Sequence, residues 1–505
     1  CTSRRQRQMC IRDSLCMSLA AESSNAVYER ARLSRDARFD GRFFVGVRTT
    51  GVYCRPICPA NPPRSENVTF FPTAAAASEA GYRPCLRCRP ECAPGTPAWA
   101  GTSATVQRGL RLIAEGALDD DNIEALATRL GITSRHLRRL FTRHVGASPL
   151  AVAHTQRLHF AKRLIDQTDL PMQAICAAAG FGSVRRFNDT FQKTYGRSPT
   201  QLRKGRQGSR RERARGLLLP YREPFGWKQL LAFFGARATP GVERVADNRY
   251  QRTVRVGGAS GVIDVTDVGG SLSLEVSGIP TDSLFYVAQR VRGMFDVVAP
   301  IDDITHTLRC DEQLRDWLES QPGLRVPGAW DGWELTVRAI LGQQISVKAA
   351  TTFAGRLADK YGDRMRPVSG GDVPQRLFPS PARLARARLE TIGIVRSRAQ
   401  SIRDLARAVL AGKVTFDGSQ PVDDFCRALT AVRGIGDWTA EYVAMRALKN
   451  PDAFPASDLG LLRAFDHTEG RRLRPRELEA RALAWRPWRA YAALLIWGSD
   501  VGAGG

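Results

Sequence analysis

The sequence predicts a multidomain chain of four folded units. These are a small α+β unit built around cysteines, an all-α unit with two helix–turn–helix spacings, a second α+β unit, and a mostly α unit with a helix–hairpin–helix. Three observations carry this expectation. Hydrophobic periodicity alternates before Phe71, turns helical from Val106 to Leu202, alternates again from Tyr250 to Gly278, and is helical from Asp311 to Trp497. Low-apolar stretches rich in Pro, Gly or Arg separate the blocks, at Pro90 to Gly101 and Gln201 to Gly216. Length agrees, since 505 residues suffice for roughly three or more domains of ordinary size. The expected boundaries are 25–95, 103–203, 217–303 and 304–500, with 204–216 as a basic linker and 1–24 outside any core.

Composition narrows the partners. The chain carries 75 Lys and Arg against 50 Asp and Glu, a formal net charge of +25, yet 43% of its residues are hydrophobic. That is enough apolar material for packed cores, so a disordered basic tail is excluded. Nucleic acid is the expected partner; on charge alone, an acidic protein or a membrane surface is the alternative. No apolar run reaches the roughly 18 residues of a membrane span. No secretory apolar segment precedes the first unit, and an odd cysteine count fits a reducing compartment, so a cytoplasmic location is expected. Cys1 to about Leu15 has no periodicity and reads as foreign or over-extended sequence, with Met17 as the expected start.

Four of the eleven cysteines form a pattern. Cys54 and Cys58 read C-R-P-I-C; after a gap of 26 residues, Cys85 and Cys88 read C-L-R-C. Two such knuckles close a tetrahedral thiolate site, so one Zn²⁺ is expected on Cys54, Cys58, Cys85 and Cys88. A disulfide-bonded or incidental cluster is the alternative. Arg55, Arg64, Arg83, Arg87 and Arg89 lie nearby in sequence, giving a strongly basic field suited to phosphates. Strands are expected in RFFVGVRTTGVYCRP and ENVTFFP, and an alanine-rich helix from Thr73 to Ala80.

The block from Val106 to Leu202 repeats a helix–turn–helix. The first unit reads IEALATRL, a turn at Gly131, then Ser134 as N-cap of RHLRRLFTRH, which carries Arg135, Arg138, Arg139 and Arg143. The second reads MQAICAAAG, a turn at Gly180-Phe181-Gly182, then SVRRFNDTFQKTYG with Arg185 and Arg186. Two such units on one scaffold can enter successive major grooves; a solvated basic face is the alternative for the arginines. The block resembles the AraC-type DNA-binding domain through Gly180-Phe181, Phe187, Phe191, Gly196 and Ser198-Pro199. Phe187 and Phe191 themselves read as core packing.

The cysteine unit resembles the N-terminal domain of the Ada adaptive-response regulator, through F-V-G-V-R-T-T-G-V-Y-C-R-P-I-C and G-Y-R-P-C-L-R-C. The resemblance implies one zinc on four thiolates and methyl transfer from DNA methylphosphotriesters to the first cysteine, Cys54. Four thiolates and Zn²⁺ sum to −2, and one methylation makes the site −1, which should strengthen binding to phosphates. A purely structural zinc needs the same ligands and stays open. The chain lacks the P-C-H-R motif of the alkylguanine methyltransferase domain found in many Ada proteins, so O6-methylguanine repair is not implied.

Residues 429–446 read L-T-A-V-R-G-I-G-D-W-T-A-E-Y-V-A-M-R. Gly434 and Gly436 between two helices let backbone amides approach a phosphate, a sequence-independent grip on DNA. Asp458 follows Trp438 by 20 residues in F-P-A-S-D. From about Pro220 to Trp497 the chain resembles the AlkA-type 3-methyladenine DNA glycosylase II of the endonuclease-III superfamily. The resemblance rests on PFGWKQLLAFFGARA, V-R-A-I-L-G-Q-Q-I-S-V and W-R-P-W-R-A-Y-A-A-L-L-I-W. It implies Asp458 as the catalytic aspartate, and Trp438, Tyr442, Trp497 and Phe233 as the base pocket. Core packing is the alternative for the aromatics, and Asp458 also reads as an N-cap for the helix from Leu459.

Departures from the family refine this reading. Trp438 stands where lyase-active relatives carry Lys, so a monofunctional hydrolase is implied. No cysteine follows Cys426, so no iron–sulfur cluster is expected. Gln344 occupies the wedge position of the 342–345 turn, where the best-known relative carries Leu, and Leu459 and Gly498 replace pocket aromatics. The expected function is therefore an alkylation sensor and repair protein. It would accept methyl groups on Cys54, bind promoter DNA and excise alkylated bases such as 3-methyladenine. The expected partners are alkylated and promoter double-stranded DNA, with RNA polymerase as a further candidate and no membrane. The alternative is an AraC-type transcription regulator whose glycosylase fold is only a DNA clamp.

Overall fold

The computed structural model describes residues 25–94, 104–119, 122–204, 216–365, 373–465 and 471–500. The expected non-core N-terminus with Met17, the Pro90–Gly101 linker beyond Pro94, and the 204–216 linker between its end residues lie outside the described residues.

A helix running through 25–33 (α1) precedes a small sheet of β1 (Phe44–Val47), β2 (Val52–Cys54), β3 (Val68–Phe71) and β4 (Arg83–Pro84), with α2 (Ala74–Glu79) before β4. The strand order is β3-β1-β2-β4. β1 is antiparallel to both neighbours, whereas β4 joins β2 in parallel, pairing Val52 with Arg83 and Tyr53 with Pro84. A parallel pair needs a crossover. Here β3 and α2 provide it, and the second cysteine knuckle lands beside the first.

Seven helices follow: α3 (Ala104–Ala114), α4 (Ile123–Arg129), α5 (Ser134–Val145), α6 (Pro149–Gln167), α7 (Met172–Ala178), α8 (Val184–Tyr195) and α9 (Pro199–Lys204). Helix α5 is capped by Thr133, not by the expected Ser134. Thr133 has the extended backbone of a cap, and its hydroxyl accepts from the His136 amide, so Ser134 is already inside the first turn. Helix α8 is capped by Ser183, which accepts from the Arg186 amide.

The second sheet has the order β5-β9-β8-β7-β6 and is antiparallel throughout. It comprises β5 (Leu217–Pro220), β6 (Glu243–Ala246), β7 (Arg249–Val256), β8 (Ala259–Asp267) and β9 (Ser271–Ser277), with α10 (Trp227–Ala236) after β5 and α11 (Leu284–Met294) after β9. Sequence periodicity finds α10, β7, β8 and β9 but misses β5, β6 and α11. The LLLP of β5 has no alternation to read; it sits at a sheet edge, where its proline is tolerated. The basic run before it does not separate the cores on either side. Leu164, Phe187 and Phe191 of the helical unit pack in one buried cluster with Leu219, Leu272 and Phe285, and the rings of Phe160 and Phe285 meet edge-on at 5.1 Å.

The remaining helices are α12 (Ile301–Leu308), α13 (Glu312–Ser320), α14 (Gly332–Gly342), α15 (Val347–Tyr361), α16 (Pro381–Leu384), α17 (Arg396–Leu410), α18 (Val422–Thr430), α19 (Asp437–Arg446) and α20 (Leu459–Arg463), then Pro475–Ala482 and Arg489–Asp500. Their core includes the fully buried Trp485, Phe425 and Phe465. Among the described residues no helix is long and apolar enough to cross a membrane.

Buried charge ties this unit to the sheet. Arg252 on β7 and Glu334 on α14, each 3% exposed, pair at 2.7 Å. Arg338 on α14 meets Glu243 at 2.7 Å and Glu334 at 3.1 Å. Burial opposes the charge on Glu243, but Arg338 and Arg252 outweigh it and hold its carboxyl at about 2. Removing one partner of such a set leaves the others uncompensated. Glu334→Ala is therefore expected to destabilise the protein by about 3–5 kcal/mol. It should read as a lower urea midpoint of the full chain; an unchanged midpoint would show that the pair is dispensable.

Candidate metal centre and candidate active site

The four predicted cysteines converge. Cys54 ends β2, and Cys85 follows β4 with its amide donating to the Tyr53 carbonyl at 3.0 Å. The Cys58 amide donates to the Arg55 carbonyl at 3.1 Å, closing the first knuckle, and the Arg89 amide donates to the Cys85 carbonyl at 3.1 Å, closing the second. All four sulfurs lie within 4.8 Å of one another. Zinc–sulfur bonds of about 2.3 Å put tetrahedral sulfurs roughly 3.8 Å apart, so the set fits zinc, and its all-thiolate chemistry suits that ion. The Arg55 amide donates to the Cys88 sulfur at 3.3 Å. The crowded sulfurs act on one another: Cys54 draws the Cys58 thiol below its ordinary value, while Cys54 and Cys58 push that of Cys88 up. Cys88 is buried; Cys54, Cys58 and Cys85 are half-buried.

The basic field around the cysteines is thinner than the sequence suggests. Arg55 turns inward to pair with Asp40, and Arg89 pairs with Asp166. Arg64 lies 3.8 Å from Glu66, while Arg83 and Arg87 are exposed. The carboxylates that neutralise Arg55 and Arg89 are far away in sequence, and one is in another unit. This unit docks on α6 through buried polar contacts. The Tyr53 hydroxyl lies 2.8 Å from His159 Nε2, and Lys162 pairs with Glu91 at 3.4 Å and Asp166 at 2.6 Å.

In α5, Leu137, Phe141 and Val145 face the core, leaving Arg135, Arg138, Arg139 and Arg143 exposed. In α8, Phe187, Phe191 and Tyr195 face inward, and Arg185 and Arg186 are exposed. Arg138 lies 3.8 Å from Glu124, and Arg139 is 3.0 Å from His136 Nδ1.

The hairpin joins α18 to α19. Gly434 has φ +86°, and a Cβ there would meet the Ser401 hydroxyl at 2.1 Å, so only glycine fits. A Cβ at Gly436, which caps α19, would meet nothing within 4 Å, so this backbone is open to an approaching phosphate. Gln344 is exposed with φ +56°. Its neighbour Gln343, which sequence reasoning missed, donates to the Gly434 carbonyl at 3.0 Å and to Thr439 at 3.2 Å. It fastens the 342–345 turn to the hairpin.

Asp458 serves as a cap and as the centre of the site. Its Oδ1 accepts from the Leu461 amide at 3.1 Å and from the Trp497 indole N–H at 2.9 Å; its Oδ2 accepts from the Trp438 indole N–H at 2.8 Å. Trp438 and Tyr442, one helical turn apart, stack at 5.3 Å and 8°. Trp497 meets Tyr442 at 6.3 Å and 59°. Phe233 joins through an arginine layer that the sequence reading did not include. The Arg446 guanidinium lies 4.8 Å from the Phe233 ring and 5.2 Å from the Tyr442 ring, and that of Arg237 lies 3.9 Å from Phe233. Burial opposes ionisation of Tyr442, but Arg446, Arg237 and Arg338 outweigh it and hold the phenol below its ordinary value. The i, i+4 spacing from Tyr442 to Arg446 was the available signal. Leu459 is exposed beside Asp458, and a Cβ at Gly498 would meet Gln321 Oε1 at 2.1 Å.

Comparison with known proteins matches four families. Residues 28–91 match the metal binding domain of Ada, and 126–205 a helix-turn-helix domain. Residues 216–331 match the AlkA N-terminal domain, and 337–490 the HhH-GPD superfamily base excision DNA repair protein. The probable bifunctional transcriptional activator/DNA repair enzyme AlkA of Mycobacterium tuberculosis is 41% identical over 474 residues, covering 93% of this chain and 95% of that protein. DNA-3-methyladenine glycosylase 2 of Escherichia coli is 33% identical over 291 residues, 55% of this chain and 95% of its own. The solved 3-methyladenine DNA-glycosylase of Archaeoglobus fulgidus superposes with a TM-score of 0.51 at 20% identity, over 56% of this chain and 98% of that one; this likeness shows the fold.

The cysteine geometry makes a direct expectation. The purified full chain should hold about one zinc, and Cys85→Ser should lose it, because three thiolates leave the tetrahedron open. Metal analysis after dialysis checks this, and undiminished zinc in the variant would exclude the four-sulfur site.

Proposed function

The chain belongs to the family of bifunctional transcriptional activator/DNA repair enzymes of the AlkA type, and from that premise we propose that it joins two alkylation-repair reactions to a DNA-binding regulator. The zinc unit accepts methyl groups, the helix–turn–helix unit binds promoter DNA, and the C-terminal half removes alkylated bases such as 3-methyladenine. We divide the chain at the boundaries expected from its sequence. A cytoplasmic site of action, and RNA polymerase as a partner of the regulatory half, belong to the same reading.

The observation that carries the glycosylase assignment is the Asp458 carboxylate held by two indole N–H groups and a helix N-terminus. Neutral donors fix its position without cancelling its charge. An N-alkylated purine carries positive charge and leaves as a neutral base, so it needs no protonation. Flipped out of the duplex, it lies against the aromatic group of Trp438, Tyr442 and Trp497. As the C1′–N bond breaks, its electrons go to the base and positive charge develops on the sugar. Asp458 stabilises that charge and orients the attacking water. The guanidinium layer behind Tyr442 opposes a cationic base and relaxes as the base departs neutral. Gly434, Gly436 and Gln344 hold the backbone and the gap. Trp438 in place of a lysine supports a monofunctional product, an abasic site in an unbroken strand.

In the sensor, bound zinc keeps the thiols deprotonated. The Cys54 sulfur attacks the methyl carbon of a methylphosphotriester. An S–C bond forms, the C–O bond breaks, and its electron pair returns the phosphate to a diester. The site moves from −2 to −1, so its repulsion from neighbouring phosphates falls.

Two outcomes follow. Asp458→Asn keeps an acceptor for the helix cap but loses the negative charge. Single-turnover excision from methylated DNA should fall at least roughly 10²-fold, with affinity for lesion DNA changed by less than about threefold. Excision at the parent rate would sink the assignment of Asp458, and no excision by the parent itself would leave only the clamp reading. Incubation with methylphosphotriester DNA should add one methyl, on Cys54, and raise DNA affinity at fixed salt. Peptide mass spectrometry decides the position; a methyl on Cys58 or Cys85 would refute it.

A further inference from the structure

A cavity of about 370 Å³ lies where the zinc unit, the helix–turn–helix unit and the C-terminal half meet. Such a volume is typical of sites for small organic ligands, roughly 300–1,000 Å³. It is too small for a duplex. Neither Asp458 nor any of the four clustered cysteines lines it.

Some of its cations lack an acceptor, although the wall also carries the buried and unpaired Gln156 Oε1. Four cations reach it: Arg111 on α3, Arg163 on α6, Arg292 on α11 and Lys449 after α19. Arg163 is 6% exposed and makes no hydrogen bond or ion pair among the described residues; its guanidinium only overlies the Phe160 ring at 5.6 Å. The Nε atoms of Arg163 and Arg111 are buried without an acceptor. Arg292 donates to the Pro94 carbonyl at 3.0 Å. The carboxylates present are engaged or distant. Glu91 pairs with Lys162 at 3.4 Å and Arg89 at 3.5 Å, and Asp296 accepts from the Tyr491 hydroxyl at 2.8 Å and the Val326 amide at 3.2 Å. Glu115 acts on Arg111 and Lys449 through space and makes no ion pair among the described residues.

Burial holds Arg292 down at about 9, with Arg163 adding repulsion, and lowers Arg111 to about 10 and Lys449 to about 8. Guanidiniums buried without acceptors are costly, and an anion that fills the space offsets the cost with charge-assisted hydrogen bonds. The rest of the lining mixes apolar side chains, such as Phe44, Val152, Val298 and Met445, with polar ones, such as Thr155 and Gln156.

We propose that this cavity binds a phosphate-class anion, gripped by Arg163 and Arg292, with Arg111 and Lys449 on the same wall. The volume and the apolar part of the lining favour a phosphate monoester with a small organic body over the free ion. Because the walls come from sensor, regulator and enzyme, a bound anion stabilises their contact and couples them.

The test titrates the full chain with adenosine monophosphate, inorganic phosphate and adenosine, followed by calorimetry and thermal unfolding. The monophosphate should bind and raise the melting temperature, phosphate should bind more weakly, and adenosine should not bind. Equal binding of phosphate and monophosphate assigns the site to the free ion. Arg163→Gln and Arg292→Gln should each weaken binding about tenfold. Asp458→Asn and Arg139→Gln should leave it unchanged, separating the cavity from the base pocket and from the DNA-reading helices. Without ligand, Arg163→Gln should unfold at or above the parent temperature, since it removes an uncompensated charge. In the parent, hydrogen exchange should slow in 107–115, 156–163 and 289–293 when the monophosphate is added. No heat and no protection in the parent would overturn the proposal, as would binding that survives both arginine substitutions or is lost with Arg139→Gln.

Discussion

Burying helix α6 is costly wherever its charges lack partners, and that constraint shapes how the front half of the chain assembles. Its inner faces carry Arg157, His159, Lys162 and Arg163 as well as Leu158, Phe160 and Leu164. Lys162 is met by Glu91 and Asp166, and Arg157 by Asp119. Burial, with Arg163 and Lys162 nearby, lowers His159 to about 3, so it stays neutral against Tyr53. Glu91 and Tyr53 come from the zinc unit. Its own apolar clusters are small, centred on Phe44 and Tyr53 and on Phe43 and Val45. Polar pairing therefore contributes much to the register of this docking, because a misplaced dock would strand buried charge.

The two proposed reactions use a negative charge differently, one to stabilise a developing cation and one as a nucleophile, and the chain keeps them in separate units. At Asp458 a negative charge is held by neutral indole N–H donors, while guanidiniums gather behind Tyr442. At the cysteines the negative charge is concentrated on sulfur, and the nearest arginines are largely committed to carboxylates. A single methylation is then a large fractional change in local charge, which is what a switch requires. The second helix–turn–helix shares its core with the sheet of the C-terminal half, so regulator and enzyme form one body at that junction.

What the sequence alone determined is what depends on short spacings. The paired cysteines, the Gly434–Gly436 step, the i, i+4 pair Trp438 and Tyr442, and the inward faces of α5 and α8 are local patterns. Each has a periodic or stereochemical cause within a few residues. Asp458 was legible both as a cap and as a carboxylate, and the structure shows that one side chain accepts from a helix amide and from two indoles. Only the tertiary structure decided what depends on partners distant in the chain. Strands β5 and β6 exist because a neighbouring strand pairs with each, and not because their own residues alternate. Arg55 and Arg89 look like a phosphate-facing field until Asp40 and Asp166 fold against them. Gln343, Arg237 and Arg446 acquire meaning only when separate helices bring them to the hairpin and to Tyr442. A hydrogen bond or ion pair acts over a few ångströms in space, whatever the separation along the chain, so no local pattern announces it.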